Sequence, residues 1–287
     1  MYLGAHVSIA GSFAKCIDRA AALGANTFMT FASSPRSLQT QLFPKTEIDL
    51  YLKKKSEFRL GPHFFHGVYL VNLATENPDY LVASCNSLIF YQQLAGRINA
   101  VGTIFHIGSH KGRGFSATVN QIIDSVNQVI AASPAGTKLI LENAAGQANT
   151  VGQTFEELAQ IITGIKDKSK IAVCLDTQHA FAAGYRPEEV LDAFDRIIGL
   201  PYLSVIHFND SQTDFNSHVD RHDNIGSGKI GIKNMAKILN DPRVKQIPFI
   251  LETPGENHSG PRKQDVDLLK QLAASAWAKH RKLPFGK

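Results

Sequence analysis

The chain has 287 residues, 44% of them hydrophobic, and a formal net charge of +5. This hydrophobic content is enough for a full core, and no apolar stretch approaches the roughly 20 residues of a membrane span. The N-terminus lacks the basic region, apolar core and cleavage site of a secretory signal. Three scattered cysteines fit free thiols in a reducing compartment and exclude a cysteine zinc ribbon. We therefore expect a cytoplasmic protein whose positive charge permits an anionic partner such as nucleic acid.

Eight short apolar segments of strand type recur along the chain, each followed by a segment of helical periodicity. In order, the predicted strands are YLGAHVS, NTFMTFA, HFFHGVYL, GTIFHIGS, KLILEN, IAVCLD, LSVIHFND and PFILET. The predicted helices span residues 11–23, 46–58, 78–98, 117–132, 154–164, 187–198, 231–240 and 262–279. Strands that are apolar on both faces and alternate with helices indicate a parallel sheet, and eight such units favour a closed (β/α)8 TIM barrel over an open sheet. We predict one domain over residues 1–287, with a flexible tail from about residue 280.

Metal-binding side chains lie at the ends of six consecutive predicted strands. In a TIM barrel, the loops that follow the strands build the functional face. The residues at these ends are His66, His106, Glu142, Asp176 with His179 just beyond it, His207 and Glu252. Each has an ordinary alternative when taken alone: Asp176 or Thr177 could cap the next helix, and a lone histidine on an apolar strand is more often a hydrogen-bonded core residue. Together, the six strand ends favour a metal-binding barrel mouth.

A further cluster, HVDRHDNIGSGKIG at residues 218–231, follows the seventh strand. Asp220 and His222 are two residues apart, so in an extended segment their side chains face the same side and could chelate one ion. The alternative is an ordinary polar loop. His6, on the first strand, could line the pocket without touching metal, whereas His63 is expected at the surface or in a position that supports the ligands.

The chemistry of this ligand set suggests which metal it binds. Nitrogen and carboxylate ligands without thiolate suit zinc, with manganese or iron as substitutes. Nine candidate ligands are too many for one ion, but four carboxylates and five imidazoles suffice for three ions if one carboxylate bridges. Three divalent ions, four carboxylates and one bound hydroxide leave a single positive charge. Such a site would match the single negative charge of a phosphodiester.

The segments FHIGSH, LILENAAGQ, CLDTQHAFAAGY, VIHFNDS, VDRH and ILET, in this order, resemble those of the endonuclease IV family of apurinic/apyrimidinic endonucleases. The resemblance covers nearly the whole chain, and CLDTQHAFAAGY and VDRH are its most specific parts. It implies a (β/α)8 barrel with three zinc ions, with manganese possible at one site. It also implies three ligand groups: His66 and His106 with Glu142 bridging to the second ion, then Asp176, His207 and Glu252, and finally His179, Asp220 and His222.

The resemblance further implies hydrolysis of the phosphodiester 5′ to an abasic site in double-stranded DNA, leaving a 3′-hydroxyl and a 5′-deoxyribose phosphate, and trimming of blocked 3′ ends. Glu142 and Glu252 are then the catalytic candidates, and a monomer is expected. For DNA binding it points to Arg36, Tyr69 and Leu70, which would bind phosphate or fill the gap left by a flipped-out abasic sugar. This chain departs from the family pattern at Ser34, Ile107 and Ser227. None of the three is a predicted ligand, so we expect the departures to affect DNA affinity and substrate range more than the reaction itself.

Two other functions fit part of the pattern. A sugar isomerase or epimerase on the same barrel would need a single metal site, built from Glu142, Asp176, His207 and Glu252. It would have no need for the surplus ligands His66, His106, Asp220 and His222. A noncatalytic nucleic-acid-binding protein is favoured only by the positive charge. Metal content separates the three hypotheses: three ions per chain for the nuclease, one for the isomerase and none for the binding protein.

Overall fold

The computed structural model describes the backbone of residues 1–280 and the side chains of residues 1–274. Eight parallel strands close into a barrel in which chain neighbours pair and the last strand pairs with the first. They are β1 (Leu3–His6), β2 (Thr27–Thr30), β3 (His63–His66), β4 (Gly102–Phe105), β5 (Lys138–Glu142), β6 (Ile171–Asp176), β7 (Leu203–His207) and, after the ribbon described next, β10 (Phe249–Leu251). A short antiparallel ribbon of β8 (Asp210–Ser211) and β9 (His222–Asp223) lies between the last two. The predicted TIM barrel is confirmed, and the ribbon is an addition to it.

Helices follow the strands around the barrel. They are α1 (Lys15–Ala22), α2 (Lys45–Glu57), α3 (Pro78–Arg97), α4 (Val119–Ala131), α5 (Phe155–Gly164), α6 (Thr177–Ala182), α7 (Val190–Ile197), α8 (Ile232–Leu239) and α9 (Lys263–His280). The first predicted helix began too early, because turns precede Lys15. The short α6 was not predicted, since all six of its residues are buried and it therefore shows no polar face. The other helices begin and end within three residues of their predicted bounds.

The barrel interior explains why polar residues meet at one end of the sheet. A small apolar cluster fills the barrel and is formed by Met29, Phe64, Ile104, Ile140, Ala172, Cys174, Val205 and Ile250. Successive side chains of a strand alternate between its two faces, so the residue two positions after an interior residue also points inward. In six strands that residue is a predicted ligand, as in Phe64 followed by His66, and Ile140 followed by Glu142. The strand period therefore directs these ligands to the carboxyl end of the barrel.

His63 occupies a different place from the one expected. It begins β3 but is buried between the barrel and α2, where its ring nitrogens are hydrogen-bonded to Tyr51 Oη at 2.8 Å and Thr30 Oγ1 at 3.0 Å. Burial lowers the pKa of His63 well below its ordinary value, so the imidazole is neutral. It is a core residue, and the expectation of a surface or supporting position was wrong.

The helices of the described part of the chain are too short or too polar to cross a membrane. The single-domain organisation stays a prediction. The predicted tail from about residue 280 falls outside the described residues.

Candidate metal centre

The structure brings the nine predicted ligands together at the carboxyl end of the barrel, around Glu142. Oε2 of this carboxylate lies 3.1 Å from His66 Nε2 and 3.6 Å from His106 Nε2. Oε1 lies 2.8 Å from His207 Nδ1 and 3.6 Å from His179 Nδ1. Glu142 is fully buried, and imidazoles approach both of its oxygens. Glu142 therefore belongs to more than one group of side chains that could hold a metal ion.

A second group forms between Glu142 and three residues from the neighbouring strands. One ligand atom from each of Glu142, Asp176, His207 and Glu252 lies within 4.8 Å of the others. His207 Nδ1 is 3.0 Å from Glu252 Oε2 and 4.0 Å from Asp176 Oδ2. Three carboxylates and one imidazole in this space form a donor set suited to a divalent cation.

The third group is formed by α6 and the ribbon. His179 Nε2 lies 3.3 Å from Asp220 Oδ2, His222 Nε2 lies 3.4 Å from Asp220 Oδ1, and the two Nε2 atoms are 3.4 Å apart. The Nδ1 atoms face backbone carbonyls, of Asn143 at 2.9 Å and of Glu252 at 3.3 Å, so the ring protons belong on Nδ1. With both rings neutral, two nitrogen lone pairs and a carboxylate converge with no donor between them, and a cation fits this arrangement. In the absence of a cation, a proton on His179 Nε2 can donate to Asp220 instead.

The pKa values of Glu142 and His179 are shifted by the charges of the side chains around them. Burial alone would raise the pKa of Glu142, but His106 and His207 hold it well below its usual range, so the carboxylate is ionised. Burial alone would lower the pKa of His179, but the carboxylates of Asp176 and Asp220 raise it well above its ordinary value. In the absence of metal these two carboxylates draw a proton onto His179. A bound divalent cation would replace that proton.

Asp176 is both a helix cap and a candidate metal ligand, the two roles that its sequence position allowed. Its Oδ1 accepts a hydrogen bond from the backbone N–H of His179 at 2.9 Å, which makes it the N-cap of α6. Its Oδ2 faces His222 Nε2 at 3.6 Å. One side chain therefore caps a helix and contributes an oxygen to the centre.

Two residues that hold the ligands in place were missed by the sequence reasoning. Asn143 Oδ1 accepts from Asp176 N at 2.7 Å, and Gln147 Oε1 accepts from Asp220 N at 3.1 Å. His6 lines the larger of the two cavities at the barrel mouth, as the sequence predicts, and its Nδ1 is also hydrogen-bonded to Glu252 Oε1 at 3.1 Å. A signal was available for Asn143 in the segment LEN, where a polar residue directly follows a strand-end ligand.

Two cavities of about 570 and 1070 Å³ meet over the centre, and His106, His179 and Asp220 line both. Tyr69 stands between them with 60% of its surface exposed, its ring centre 5.7 Å from that of His66. Leu70 is also exposed and lines the smaller cavity. Arg36 is exposed on the loop after β2, next to Pro35, which lines the larger cavity. The predicted DNA-binding residues thus lie on the loops at or near the barrel mouth.

A closed parallel barrel with clustered candidate metal ligands at its carboxyl end places the chain among the TIM-barrel proteins that could bind metal there. Comparison with known proteins identifies its family. Residues 14–272 match the family described as xylose isomerase-like TIM barrel. The probable endonuclease 4 of Halothermothrix orenii is 41% identical over 278 residues, covering 95% of this chain and 99% of the relative. The crystal structure of endonuclease IV from Thermus thermophilus superposes with a TM-score of 0.83 at 33% identity, covering 98% of this chain and 100% of that chain. The chain belongs to the endonuclease IV family, as its sequence predicts.

A more distant similarity concerns the fold alone. The crystal structure of a D-tagatose 3-epimerase-like protein superposes with a TM-score of 0.74 at 16% identity, covering 98% of this chain and all of that one. The barrel by itself therefore does not separate a nuclease from a sugar epimerase, and that distinction depends on the site.

Proposed function

We propose that the chain is a zinc-dependent apurinic/apyrimidinic endonuclease of DNA base excision repair. It would hydrolyse the phosphodiester 5′ to an abasic site in double-stranded DNA, leaving a 3′-hydroxyl and a 5′-deoxyribose phosphate, and would trim blocked 3′ ends. Its relatives are named endonucleases, and membership of their family makes the chain a DNA-cleaving hydrolase. A monomeric state and a cytoplasmic location stay predictions.

The observation that carries this proposal is the number of ligand groups that meet at Glu142. A sugar epimerase with a single metal would need only the group of Glu142, Asp176, His207 and Glu252. The barrel mouth offers five more donors within 3.6 Å of another ligand: His66, His106, His179, Asp220 and His222. Sites with more than one metal ion are common in nucleases, so phosphodiester hydrolysis accounts for the whole set.

We assign three zinc ions to these groups, with manganese possible at one. His66, His106 and Glu142 would hold the first, Glu142, Asp176, His207 and Glu252 the second, and His179, Asp220 and His222 the third. Such ions, when bound, would lower the pKa of a coordinated water and offset negative charge on the phosphate and the leaving oxygen.

The protein's own residues would position the reactants. Glu142 and Glu252 are the catalytic candidates. Glu252 is fixed by its contacts to His6 at 3.1 Å and His207 at 3.0 Å, which suits it to orient the attacking water. The exposed ring of Tyr69, together with Leu70 and Arg36, would occupy the duplex where the base is missing and contact the backbone.

The test is incision of a duplex oligonucleotide that contains one tetrahydrofuran abasic analogue, in magnesium-free buffer. The analogue cannot undergo β-elimination, so a cut must be hydrolytic. We expect a single cut 5′ to the lesion. In Glu142→Gln the incision rate should fall by more than about 100-fold, which exceeds the usual loss for a residue that only supports a metal ligand. Glu157→Gln is the matched control, since Glu157 accepts a backbone hydrogen bond from Gly152 at 2.7 Å outside the ligand groups.

Metal content decides what a negative result means. An intact duplex after zinc is restored, in a protein that holds one metal per chain, would rule out the nuclease and favour the sugar epimerase. Three zinc ions per chain with hydrolytic incision would support the proposal.

A further inference from the structure

Asp210 is a fully buried carboxylate outside the predicted ligand set, three residues after His207. Both of its oxygens accept hydrogen bonds from backbone N–H groups. Oδ2 accepts from Gly226 at 3.0 Å and Gly228 at 3.2 Å, and Oδ1 accepts from Ser211 at 2.9 Å, Ile230 at 3.0 Å and Gly231 at 3.2 Å. Four of the five donors belong to the loop after β9.

This pattern makes Asp210 the internal anion around which residues 224–231 fold. A buried carboxylate is costly unless its lone pairs are satisfied, and here backbone amides satisfy them. The loop approaches so closely that a Cβ on Gly228 would lie 2.5 Å from the carbonyl oxygen of Ser211 and 2.7 Å from Asp210 Oδ1. Glycine at 228 is therefore required by the close contacts with Asp210 and Ser211.

Residues 210–212 also hold in place β9, which carries the candidate ligand His222 and begins two residues after the candidate ligand Asp220. Asp210 pairs with Asp223 and Ser211 with His222, and the next backbone N–H, that of Gln212, donates to Arg221 O at 3.0 Å. On the other side, Lys229 N donates to Ser211 O at 2.7 Å. Residues 210–212 therefore lie between the segment 220–223, which bears Asp220 and His222, and the loop bound by the Asp210 carboxylate.

We infer that Asp210 is a positioning residue for the ligand pair Asp220 and His222, an inference that rests on the proposed three-metal function. The ligands of the other two ions lie on barrel strands or at their ends, whereas this pair depends on the loop and the ribbon. In Asp210→Asn an N–H₂ group would face backbone N–H donors and leave some of them unpaired. The loop would open and move the pair away from His179, while the other two groups keep their places.

The test compares Asp210→Asn with Asp265→Asn. Asp265 is also buried and accepts from a backbone amide, that of Arg262 at 2.8 Å, at the start of α9. Zinc per chain, hydrogen exchange of residues 212–231 and incision are measured in each protein. We expect Asp210→Asn to retain two of three zinc ions, to exchange at least about tenfold faster in residues 224–231, and to lose kcat at little changed KM. Added zinc should restore part of the incision, and Asp265→Asn should keep wild-type zinc content and loop exchange.

Two outcomes would overturn the inference: wild-type zinc content and loop exchange in Asp210→Asn, or loss of all three ions with exchange raised throughout the barrel. If Asp210→Asn does not fold, Gly228→Ala disturbs the same contact while keeping the carboxylate, and the same selective loss is expected. A failure of the proposed function would be seen in the zinc content of the wild-type protein, which would then hold one metal ion per chain or none. The exchange comparison, repeated in EDTA, reports on the loop whatever the metal content.

Discussion

The side chain of Asn209 joins two residues of the candidate metal centre that lie on different strands. Its Nδ2 donates to Asp176 Oδ2 at 2.7 Å, and its Oδ1 accepts from the backbone N–H of Glu252 at 2.8 Å. Asn209 is fully buried, so no water replaces these partners. An amide side chain can donate to a carboxylate and accept from a backbone N–H at once. It fixes the orientation of both ligands without binding metal itself.

Asn209→Leu should therefore weaken metal binding while keeping the number and branching of the side-chain heavy atoms. Asp176 would lose the donor that orients it, and a buried backbone N–H at Glu252 would lose its acceptor. We expect zinc affinity to fall by about 10- to 100-fold, the usual cost of removing a residue that supports a ligand. Competition with a chromophoric chelator measures this affinity.

Asn127→Leu provides the matched control for this substitution. Asn127 also donates and accepts, contacting Gly164 O at 3.2 Å and Lys166 N at 2.9 Å, but it lies in an exposed region away from the barrel mouth. Zinc affinity should be unchanged in the control. Equal affinity in both variants would show that Asn209 does not support the centre.

At the scale of elements, the regular parts of the fold could be predicted and the local exceptions could not. The barrel strands repeat a buried apolar run followed by a polar end, as in IAVCLD, so spacing alone indicated their number and direction. The ribbon of β8 and β9 has two residues per strand, too few to show a period. The hydrogen bonds of Asn209 and Asp210 join residues from separate segments, and neither residue type nor spacing reveals such pairs. The six candidate ligands at the strand ends were predictable because the strand period itself directs them inward.

Helix α6 offers a way to separate the two contributions of Asp176. In Asp176→Ser the hydroxyl can still cap α6, whereas Asp176→Ala removes the cap, and both remove the ligand oxygen. We expect both variants to lose zinc and incision to the same extent. In EDTA, the free energy of unfolding of the alanine variant should be lower than that of the serine variant by about 0.5–2 kcal/mol. Urea denaturation of the metal-free proteins measures the difference.

Thr154→Ala is the control for the cap alone. Thr154 Oγ1 accepts from Glu157 N at 3.2 Å at the start of α5, outside the ligand groups. This variant should show a loss of stability of similar size with full zinc content. If the serine and alanine variants were equally stable without metal, the cap would contribute nothing to the stability of the molecule.

At the scale of the whole molecule, the ligand groups couple folding to protons when metal is removed. Burial would lower the pKa of His207, but the carboxylates of Glu252 and Glu142 raise it well above its ordinary value, and the pKa of His179 is raised likewise by its carboxylate neighbours. A histidine bound to metal is neutral, so these charges belong to the metal-free protein. The stripped and loaded forms must therefore differ in how their stability depends on pH.

The sign of this difference follows from linkage. A histidine whose pKa is raised by folding stabilises the folded state fully below its unfolded pKa of about 6.5, and this contribution is lost as pH rises through the folded-state value. Glu142 and Glu252 have lowered pKa values, so their contributions change only on the acid side of about pH 4.5. Between about pH 6.5 and 8, the metal-free protein should become less stable while the zinc-loaded protein does not share this loss.

We therefore expect the gap in Tm between zinc-loaded and EDTA-treated protein to widen steadily from about pH 6.5 to 8. Thermal scans of both forms at matched ionic strength measure this gap. In His179→Gln one histidine with a raised pKa is removed. The Tm of the EDTA-treated variant should therefore fall less steeply with pH than that of the EDTA-treated wild type. Burial raises the pKa of Cys16 to about 12 in either form, so its titration cancels from the gap. A gap that stays constant or narrows toward pH 8 would mean that protons do not take the place of metal on these histidines.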